Sequence, residues 1–450
     1  MAESMKLHQS MYKVAIFALP ISIGALINML ASFIAMMMVA RLGQQALAAA
    51  ALAVSSFITV LTILSTIFYA VSILISHQRG EKTPAEIGRI VKNGIWLAIL
   101  LSIPGSCIVW HLDKILLLFK QDPYLVTLTH QYFHFAAFAV IPLLINTVIA
   151  QFYTGIGRPR FTFIVAMIML PIIILFSYGL VLGNFGLPRL ELAGVIAANF
   201  FVQFVVMFCI IIYMYLSGTL EKYQVFSNGI GLDWQLCKSI FTLGLPIGVQ
   251  FGAELGSMAV ATYFMGYFGV TALAASQIAT QYSMLVVMII LGLSQAISVL
   301  TSESYGKKAL NITPEYIYAG MGVLSIAFAV IFLLFFGMPE MLIHLYVGTN
   351  KFMDKELITL TSIFLAIAAV TLFIDGIRNL LSGALRGLHE SQAPMRIGVI
   401  CLWLVSLPCC YFVAFYLHGG PIGLRLGFMS GFILAVILLW LRLREKLIAV

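Results

Sequence analysis

Twelve long apolar runs constrain this chain more than any other feature of its sequence. Each run is long enough to cross a bilayer as a helix, which takes about 20 residues. Only 9% of the residues are charged, whereas a soluble domain has about 25%. The chain is therefore predicted to be an all-α membrane protein with twelve transmembrane helices. The runs lie at about 14–39, 47–75, 93–110, 130–152, 161–182, 192–216, 240–266, 272–300, 317–337, 357–381, 397–417 and 422–441.

The basic residues predict the orientation of the helices. With both termini inside, 17 Lys and Arg side chains fall on the cytoplasmic side and 7, including Arg425, on the outer side. This bias predicts that the N-terminus and the C-terminus are both cytoplasmic. The net charge of +8 is then explained by inward-facing loops rather than by nucleic-acid binding.

Two halves of the sequence resemble each other at a constant offset. Leu19-Pro20-Ile21 recurs 226 positions later as Leu245-Pro246-Ile247, and Gly43 corresponds to Gly269. The predicted fold is therefore two six-helix bundles related by a pseudo-two-fold axis along the membrane normal. The domains are an N-lobe at 1–220 with helices one to six, a cytoplasmic linker at 221–238, and a C-lobe at 239–450 with helices seven to twelve. Such repeats typify alternating-access transporters.

Helix seven contains a carboxylate. Glu254 lies near the middle of the apolar stretch Ile240–Gly266, which has no Lys or Arg. A charged side chain there costs roughly 3 kcal/mol, so a cation, a proton or a buried partner is expected. The alternative is a solvated glutamate in a loop. Pro246 and the glycines at 248, 252 and 256 predict either a bent helix with exposed carbonyls or close packing between helices.

A second carboxylate, Asp375, lies within helix ten. Arg378 follows three residues later and Asn379 four residues later, so the three side chains share one helix face. One interpretation is a structural ion pair between Asp375 and Arg378. The other is that Asp375 faces the same cavity as Glu254 while Arg378 extends to the cytoplasmic interface.

Polar residues on other helical turns are candidates for lining that cavity. At the repeat offset, Glu254 corresponds to Asn28, so the N-terminal half carries an amide where the C-terminal half carries an acid. Such side chains either line a wet cavity or form hydrogen bonds between helices. The candidate lining residues are Asn28, Tyr178, Gln250, Ser257, Gln277, Gln281, Tyr282, Arg378 and Asn379.

These motifs together resemble the multidrug and toxic compound extrusion (MATE) family, particularly its norfloxacin-exporter branch. The resemblance is carried by Pro246 followed by Glu254, by Asp375-Gly376 and by the motif at 382–387. It implies an exporter of organic, often cationic, drugs that is coupled to Na⁺ or H⁺. Glu254 and Asp375 would form the cation site, and would ligate the metal if the ion is Na⁺. Asp354 also matches an acid of this branch.

The chain departs from the family in helix one. The family commonly has an aspartate there, and Ala35 stands at the corresponding position. This places the coupling on the C-terminal pair, Glu254 and Asp375.

The predicted function is a cation-coupled antiporter of the bacterial inner membrane, not an enzyme. Its expected partners are small organic cations and the lipid bilayer, without nucleic acid; it needs no cofactor besides the coupling ion and is expected to be a monomer. One alternative is a flippase of lipid-linked precursors, which predicts basic residues around the cavity. Another is an intramembrane protease that uses the two carboxylates.

Overall fold

Twelve long helices dominate the computed structural model, which describes residues 7–40, 42–119, 121–225, 231–347 and 355–449. Each of the twelve is long and apolar enough to cross a membrane, and each coincides with one of the predicted runs. The predicted all-α fold with twelve membrane helices is confirmed. In chain order the helices are α1 (Leu7–Val39), α2 (Gln45–Glu81), α3 (Pro84–Trp110), α4 (Pro123–Gly155), α5 (Pro159–Leu182), α6 (Leu192–Leu216), α7 (Trp234–Gly266), α8 (Val270–Gly306), α9 (Leu310–Gly337), α10 (Lys355–Gly387), α11 (Gln392–Tyr416) and α12 (Gly420–Ile448).

Large apolar side chains cover much of the exposed surface of these helices. Ile168 and Val205 are each 57% exposed, and Leu333 and Leu404 are 64% and 70% exposed. Soluble monomers rarely expose contiguous apolar surface of this extent, whereas a lipid environment favours it. The chain is a multi-pass membrane protein.

Proline and glycine mark where several helices begin. Pro84, Pro123 and Pro159 are first helical residues, a position where the missing backbone N–H leaves no intrahelical bond unmade. Gly43 precedes α2 with φ 115°, and Gly269 precedes α8 with φ 95°. Both angles favour glycine strongly. The two glycines that correspond in the sequence repeat therefore have the same backbone role.

The chain divides into two compact units, Met1–Ser22 with Val249–Val450, and Ile23–Gly248. We call them the C-terminal unit and the N-terminal unit. The divisions fall inside α1 and inside α7. The lobes predicted from the repeat were 1–220 and 239–450. The units differ from these lobes in two places, because the first part of α1 belongs to the C-terminal unit and the first part of α7 belongs to the N-terminal unit. The lobes therefore remain a prediction.

The C-terminal unit includes the first part of α1. Val14 and Phe17 lie in its hydrophobic core together with residues of α8, α9 and α10. Lys13 Nζ donates a hydrogen bond of 2.7 Å to the hydroxyl of Tyr316 on α9. A Cβ on Gly292 would lie only 2.1 Å from Ser22 Oγ. Glycine at this position lets α8 approach α1 closely.

The N-terminal unit includes the first part of α7. A Cβ on Gly244 would lie 2.0 Å from the carbonyl oxygen of Ile67 on α2. Asp233 caps α7, since its Oδ1 accepts the backbone N–H of Leu236, and its Oδ2 accepts a 2.8 Å bond from Arg89 on α3. The bond from Leu236, followed by that from Arg89, holds the pKa of Asp233 below its ordinary value. The predicted linker at 221–238 therefore ends in helix, which begins at Trp234.

Candidate functional site: a buried carboxylate triad and its cavity

A buried cluster of charges in the C-terminal unit connects α7 to α10. Arg378 Nη1 donates to Glu254 Oε1 at 2.7 Å, and Arg378 Nε donates to Asp375 Oδ1 at 2.7 Å. The side chains of Arg378, Asp375 and Glu254 are 2%, 11% and 17% exposed. We refer to these three residues, two carboxylates that share one guanidinium, as the carboxylate triad. Glu254 thus lies in a helix with 17% of its side chain exposed, and the alternative of a solvated loop is wrong.

Helical spacing supplies the polar groups that support the triad. Asn379 lies one turn after Asp375 and donates from Nδ2 to its Oδ2 at 3.1 Å. Gln250 lies one turn before Glu254 and donates from Nε2 to its Oε1 at 3.0 Å. Ser257 Oγ donates to the Glu254 backbone carbonyl at 2.8 Å. Gln250, Ser257 and Asn379, which were predicted to line a cavity, therefore contact the two acids. They are not part of the wall of the cavity described below, and neither is Arg378.

Arg378 lies inside the unit rather than at its surface. The residue is 1% exposed, and its guanidinium carbon lies 5.2 Å from the ring centre of Phe432 on α12. Arg378 pairs with Asp375, as the first interpretation had it, but it also binds Glu254, so the pair does not neutralise itself. Asp375 lines a cavity, as the second interpretation had it, whereas the predicted extension of Arg378 to the membrane interface is wrong. The physical reason is that an extended Arg378 would leave two buried carboxylates without a counter-charge, which is strongly unfavourable.

The triad holds more acid than base. With both carboxylates ionised, two negative charges face one guanidinium, so the hydrogen-bonded set carries a net charge of about −1. Arg386 lies two turns further along α10, where its guanidinium carbon is 5.8 Å from the ring centre of Phe251. One further monovalent cation or proton would neutralise the triad.

A cavity of about 370 Å³ lies beside the triad within the same unit. Asp375 is part of its wall, and α7, α8, α10 and α12 contribute the remainder. Its surface is mainly apolar, with several methionines and two phenylalanines. The lining residues are Leu255, Met258, Ala259, Ala261, Thr262, Met265, Ser276, Gln277, Thr280, Ser283, Met284, Val287, Ile367, Ala368, Thr371, Leu372, Asp375, Leu424, Arg425, Phe428 and Phe432.

The structure distinguishes among the α8 residues that were predicted to border this cavity. Gln277 lines it, whereas Gln281 is exposed and lies outside its wall. Tyr282 was predicted to line it and does not. Its hydroxyl donates a 2.7 Å hydrogen bond to the carbonyl of Leu342, so the ring lies on another face of α8. The aromatic rings in the cavity wall are those of Phe428 and Phe432 on α12.

Asn28 and Tyr178 belong to the N-terminal unit, whereas the triad belongs to the C-terminal unit. Both are exposed, and the Tyr178 ring packs at 6.0 Å from that of Phe185. Another polar pair of this unit, Asn146 and Gln203, hydrogen bonds between α4 and α6 at 2.7 Å. For that pair the interpretation as an interhelical hydrogen bond is confirmed.

The glycines of α7 serve close packing. A Cβ on Gly248 would meet the Ile63 carbonyl at 2.7 Å, and a Cβ on Gly256 would meet the Trp403 ring at 3.0 Å. Trp403 lies in a π-helical turn of α11, and its Nε1 donates to the Ala253 carbonyl at 3.1 Å. This contact holds the backbone next to Glu254 against α11.

The side-chain oxygens that this site offers to a metal ion belong to two carboxylates and one amide. Within the described ranges there is no group of three His, Cys, Asp or Glu side chains arranged to hold a metal ion. Glu254 Oε2 and Asn379 Oδ1 make no hydrogen bond to the described residues, and Asn379 Oδ1 is buried. Oxygen ligands of this kind suit a hard monovalent cation. Asp354, which the family resemblance singled out, lies outside the described residues.

Sequence reasoning missed two features. Arg425 lies on α12 and lines the cavity, although its position near a helix end made it a topology marker in the charge count. In the N-terminal unit, His130 Nδ1 lies within hydrogen-bond distance of Asp113 Oδ2, at 2.8 Å, and the His130 ring centre lies 4.1 Å from that of His134. The spacing of 17 residues between Asp113 and His130 carries no recognisable pattern.

Comparison with known proteins identifies the family. The MatE family model matches residues 20–179 and 246–412. These two regions begin at Pro20 and Pro246, the same pair that corresponds in the sequence repeat. The match agrees with the predicted duplication.

Curated relatives and solved structures agree with that match. The chain is 30% identical to the "Probable multidrug resistance protein NorM" of Rhizobium meliloti over 90% of this chain and 86% of that protein. It is 30% identical to the protein of that name from Pseudomonas aeruginosa over 91% of this chain and 84% of that protein. Its fold matches the eukaryotic MATE transporter AtDTX14 with a TM-score of 0.84 at 18% identity, covering 98% of both chains. A MATE structure in the bent conformation matches with a TM-score of 0.86 at 17% identity, covering 99% of this chain and 98% of that chain. The chain therefore belongs to the MATE family of multidrug transporters, in its NorM-like branch.

Proposed function

We propose that this protein is an antiporter that exports organic cations in exchange for Na⁺ or H⁺ across the bacterial inner membrane. The observation that carries the proposal is the carboxylate triad, in which two buried acids share one guanidinium beside a largely apolar cavity. The triad is one positive charge short of neutrality. A coupling ion and a cationic substrate can both supply that charge.

The two carboxylates give the exchange a physical basis. When Glu254 and Asp375 are ionised, they attract either a cation or a positively charged drug. When a proton or Na⁺ neutralises one of them, the attraction for the drug falls. Each ligand thereby lowers the affinity for the other, which is the coupling that exchange requires.

Arg378 sets how strongly the triad attracts a cation. Its two hydrogen bonds keep both carboxylates next to a fixed positive charge, so the coupling ion completes an existing charge balance rather than neutralising two isolated acids. A Na⁺ ion as transported cargo would find oxygens at Glu254, Asp375 and Asn379. A proton would need only one carboxylate.

The composition of the cavity wall favours organic cations of varied shape that carry large apolar parts. Met258, Met265 and Met284 line it together with Phe428 and Phe432. Methionine side chains are flexible and polarizable, so such walls adapt to ligands of different shape. A multidrug substrate range follows from this composition.

The rival functions gain less support. A pyrophosphate-recognising flippase needs several cationic groups around its cavity, whereas this wall contains one arginine, Arg425, together with the carboxylate of Asp375. An intramembrane protease needs two carboxylates that share a water, whereas an arginine lies between Glu254 and Asp375. Transport without catalysis, by a monomer that needs neither a cofactor nor nucleic acid, belongs to the proposed function.

The experiment measures dye efflux from cells that express Glu254→Gln or Asp375→Asn at levels matched to the wild type. The control variant is Glu340→Gln, because Glu340 is an exposed acid on the short helix Pro339–Val347. Each site variant should reduce efflux of a cationic dye by about tenfold or more, since a buried charge-assisted contact is lost. The control should export like the wild type. Wild-type efflux in both site variants would refute the proposal. Proteoliposomes with a Na⁺ gradient or a pH gradient, imposed separately, identify the ion.

A further inference from the structure

Three buried hydroxyls on α8 and α10 have no hydrogen-bond partner among the described residues. They belong to Ser298 and Thr301 on α8 and to Ser382 on α10, and each residue is at most 4% exposed. Other buried hydroxyls of these helices, those of Ser304 and Thr361, donate to the carbonyl four residues earlier at 3.0 and 2.7 Å. A buried polar group without a partner is uncommon and costly in a native protein. Three of them on two packed helices therefore require an explanation.

Glycine brings α8 and α10 together along this stretch. Ser294 Oγ of α8 donates to the Asn379 carbonyl of α10 at 2.6 Å. A Cβ on Gly383 would lie 2.5 Å from the Ser294 carbonyl oxygen, and a Cβ on Gly387 would lie 2.8 Å from Thr301 Cβ. The two helices run in the same direction, since later residues of one contact later residues of the other. The hydroxyls of α8 thus lie along α10 from Asn379 to Gly387.

The polar side chains recur at one-turn spacing on both helices. Positions three or four residues apart share one face of a helix. One turn advances about 5.4 Å, which one water molecule spans with two hydrogen bonds of about 2.7 Å. Groups spaced in this way can form a continuous hydrogen-bonded chain, and we call them the polar seam. It consists of Ser294, Ser298 and Thr301 on α8 with Asn379 and Ser382 on α10.

The polar seam begins at the triad and ends at a histidine. Asn379 Nδ2 donates to Asp375 Oδ2, and Asn379 Oδ1 is buried without a hydrogen bond to the described residues. At the other end, Ser302 Oγ, one turn after Ser298, lies 3.5 Å from Nε2 of His389, which is half-buried beyond the end of α10. Histidine is the side chain that most readily takes up and releases a proton near neutral pH.

His389 lies at the cytoplasmic end of α10 in the predicted orientation. Its ring centre is 5.5 Å from that of Tyr305 on α8. The next residue, Glu390, accepts a 2.7 Å bond from Arg442 and lies 3.7 Å from Lys446, both on α12. Arg442 is exposed, so this end of the polar seam reaches the surface of the unit.

The cavity lies on the other side of the triad. Its wall residues on α8 lie between 276 and 287, before Ser294, and those on α10 lie between 367 and 375, before Asn379. Because α8 and α10 run in the same direction, the cavity and the polar seam extend from Asp375 in opposite directions. The triad therefore separates a largely apolar space from a chain of polar groups.

We propose that the polar seam is the path by which a coupling proton leaves the triad for the cytoplasm, apart from the cavity that receives the substrate. The O–H bond of protonated Asp375 breaks as a bridging water at Asn379 Oδ1 takes up the proton. Each hydroxyl then accepts one proton and releases another, and His389 delivers the proton to solvent. Such a chain suits a proton, whereas a metal ion needs a ring of oxygens that replaces its hydration shell. The inference rests on the proposed exchange function and specifies its ion and the route of that ion.

Two features keep the exchange coupled. The polar seam and the cavity meet at Asp375, so a proton passes from one to the other only by occupying the triad, where it competes with the cationic substrate. Arg386, one turn after Ser382, is a buried positive charge that repels a cation within the polar seam. The proton therefore resides on the triad or on His389 rather than between them.

The test removes one hydroxyl of the polar seam at a time. Thr301→Val lacks the hydroxyl and keeps the branched shape, Thr301→Ser keeps the hydroxyl, and Ser298→Ala breaks the chain at a second point. The matched control is Thr361→Val, because Thr361 is a buried threonine of α10 outside the polar seam whose hydroxyl bonds within its own helix. Two kinds of transport are measured in proteoliposomes. One is transport of a cationic dye driven by a pH gradient, and the other is exchange of labelled for unlabelled dye, which needs no proton release.

Thr301→Val and Ser298→Ala should each slow pH-driven transport by about tenfold or more, because a positioned proton-transfer group is lost. The same variants should keep dye exchange within about twofold of the wild type, since the triad and the cavity are unchanged. Thr301→Ser should restore pH-driven transport, and Thr361→Val should match the wild type in both assays. Thr301→Val should not lower the melting temperature, because the lost hydroxyl had no partner.

Three results would overturn the inference. Equal losses of pH-driven transport and dye exchange would show that the hydroxyls only support the structure. Wild-type rates in both Thr301→Val and Ser298→Ala would show that the proton leaves by another route. A wild type driven by a Na⁺ gradient and not by a pH gradient would show that no proton is exchanged. Each of these leaves the proposed function standing, whereas a wild type that transports dye under neither gradient contradicts the proposed function itself.

Discussion

At the scale of single residues, Arg378 determines what the two buried acids can do. Its guanidinium joins Glu254 on α7 to Asp375 on α10 by two hydrogen bonds of 2.7 Å. Removal of one partner from a buried ion cluster leaves uncompensated charge and commonly costs about 3–5 kcal/mol. The triad is therefore a structural element as well as a candidate ion site.

This leads to a prediction for stability. Arg378→Gln should lower the melting temperature of the purified protein well below that of the exposed control Arg396→Gln. The second substitution Asp375→Asn, made in the Arg378→Gln background, should recover part of the loss, because it removes one unpaired carboxylate. Thermal unfolding in detergent is measured for the wild type, Arg378→Gln, Asp375→Asn, the double variant and the control Arg396→Gln. Additive losses in the double variant would contradict an ionic link between the two residues.

The residues also show where sequence reasoning ends. Glu254 and Asp375 could be identified because a carboxylate within an apolar run is conspicuous. The bond from Arg378 to Glu254 joins positions 124 residues apart, and local spacing gives no access to such a contact. Tyr282 was placed in the cavity because it lies near Gln277 in sequence, but the packing of α8 directs its ring to the short helix Pro339–Val347.

At the scale of helices, glycine determines where α7 can pack. Gly244 lies against the backbone of α2, where a Cβ would come within 2.0 Å of the Ile67 carbonyl. A backbone atom cannot move aside as a flexible side chain can. The position therefore requires glycine for close approach rather than for backbone freedom.

A substitution pair tests this packing. Gly244→Ala should destabilise the protein by about 1–3 kcal/mol, the range that overpacking typically costs. Gly266→Ala, at the end of the same helix, should have little effect because a Cβ there meets nothing within 4 Å. Melting temperatures of the two variants provide the comparison. Equal stability of both variants would show that α2 and α7 are not in such close contact.

At the scale of the whole chain, hydropathy predicted the twelve helices, and the structure extends most of them by several residues. The reason is that helix ends enter the polar interface, where hydrophobic runs stop before the helix does. The compact units could not be predicted in the same way. Their divisions lie inside α1 and α7, at Ser22 and Gly248, and depend on packing that a sequence repeat does not encode.

The family assignment leaves one central claim to be tested, that the carboxylate triad is where the coupling ion and the substrate exclude each other. The direct measurement is the number of cations that the purified protein releases when a saturating cationic dye is added. Released protons are counted with a pH electrode in weak buffer without Na⁺. Released Na⁺ is counted with a radioactive sodium tracer. The wild type and Glu340→Gln should release about one cation per chain, as the net charge of the triad requires. Asp375→Asn should still bind dye but release none. Equal release from Asp375→Asn, or dye binding to the wild type without any release, would contradict the account.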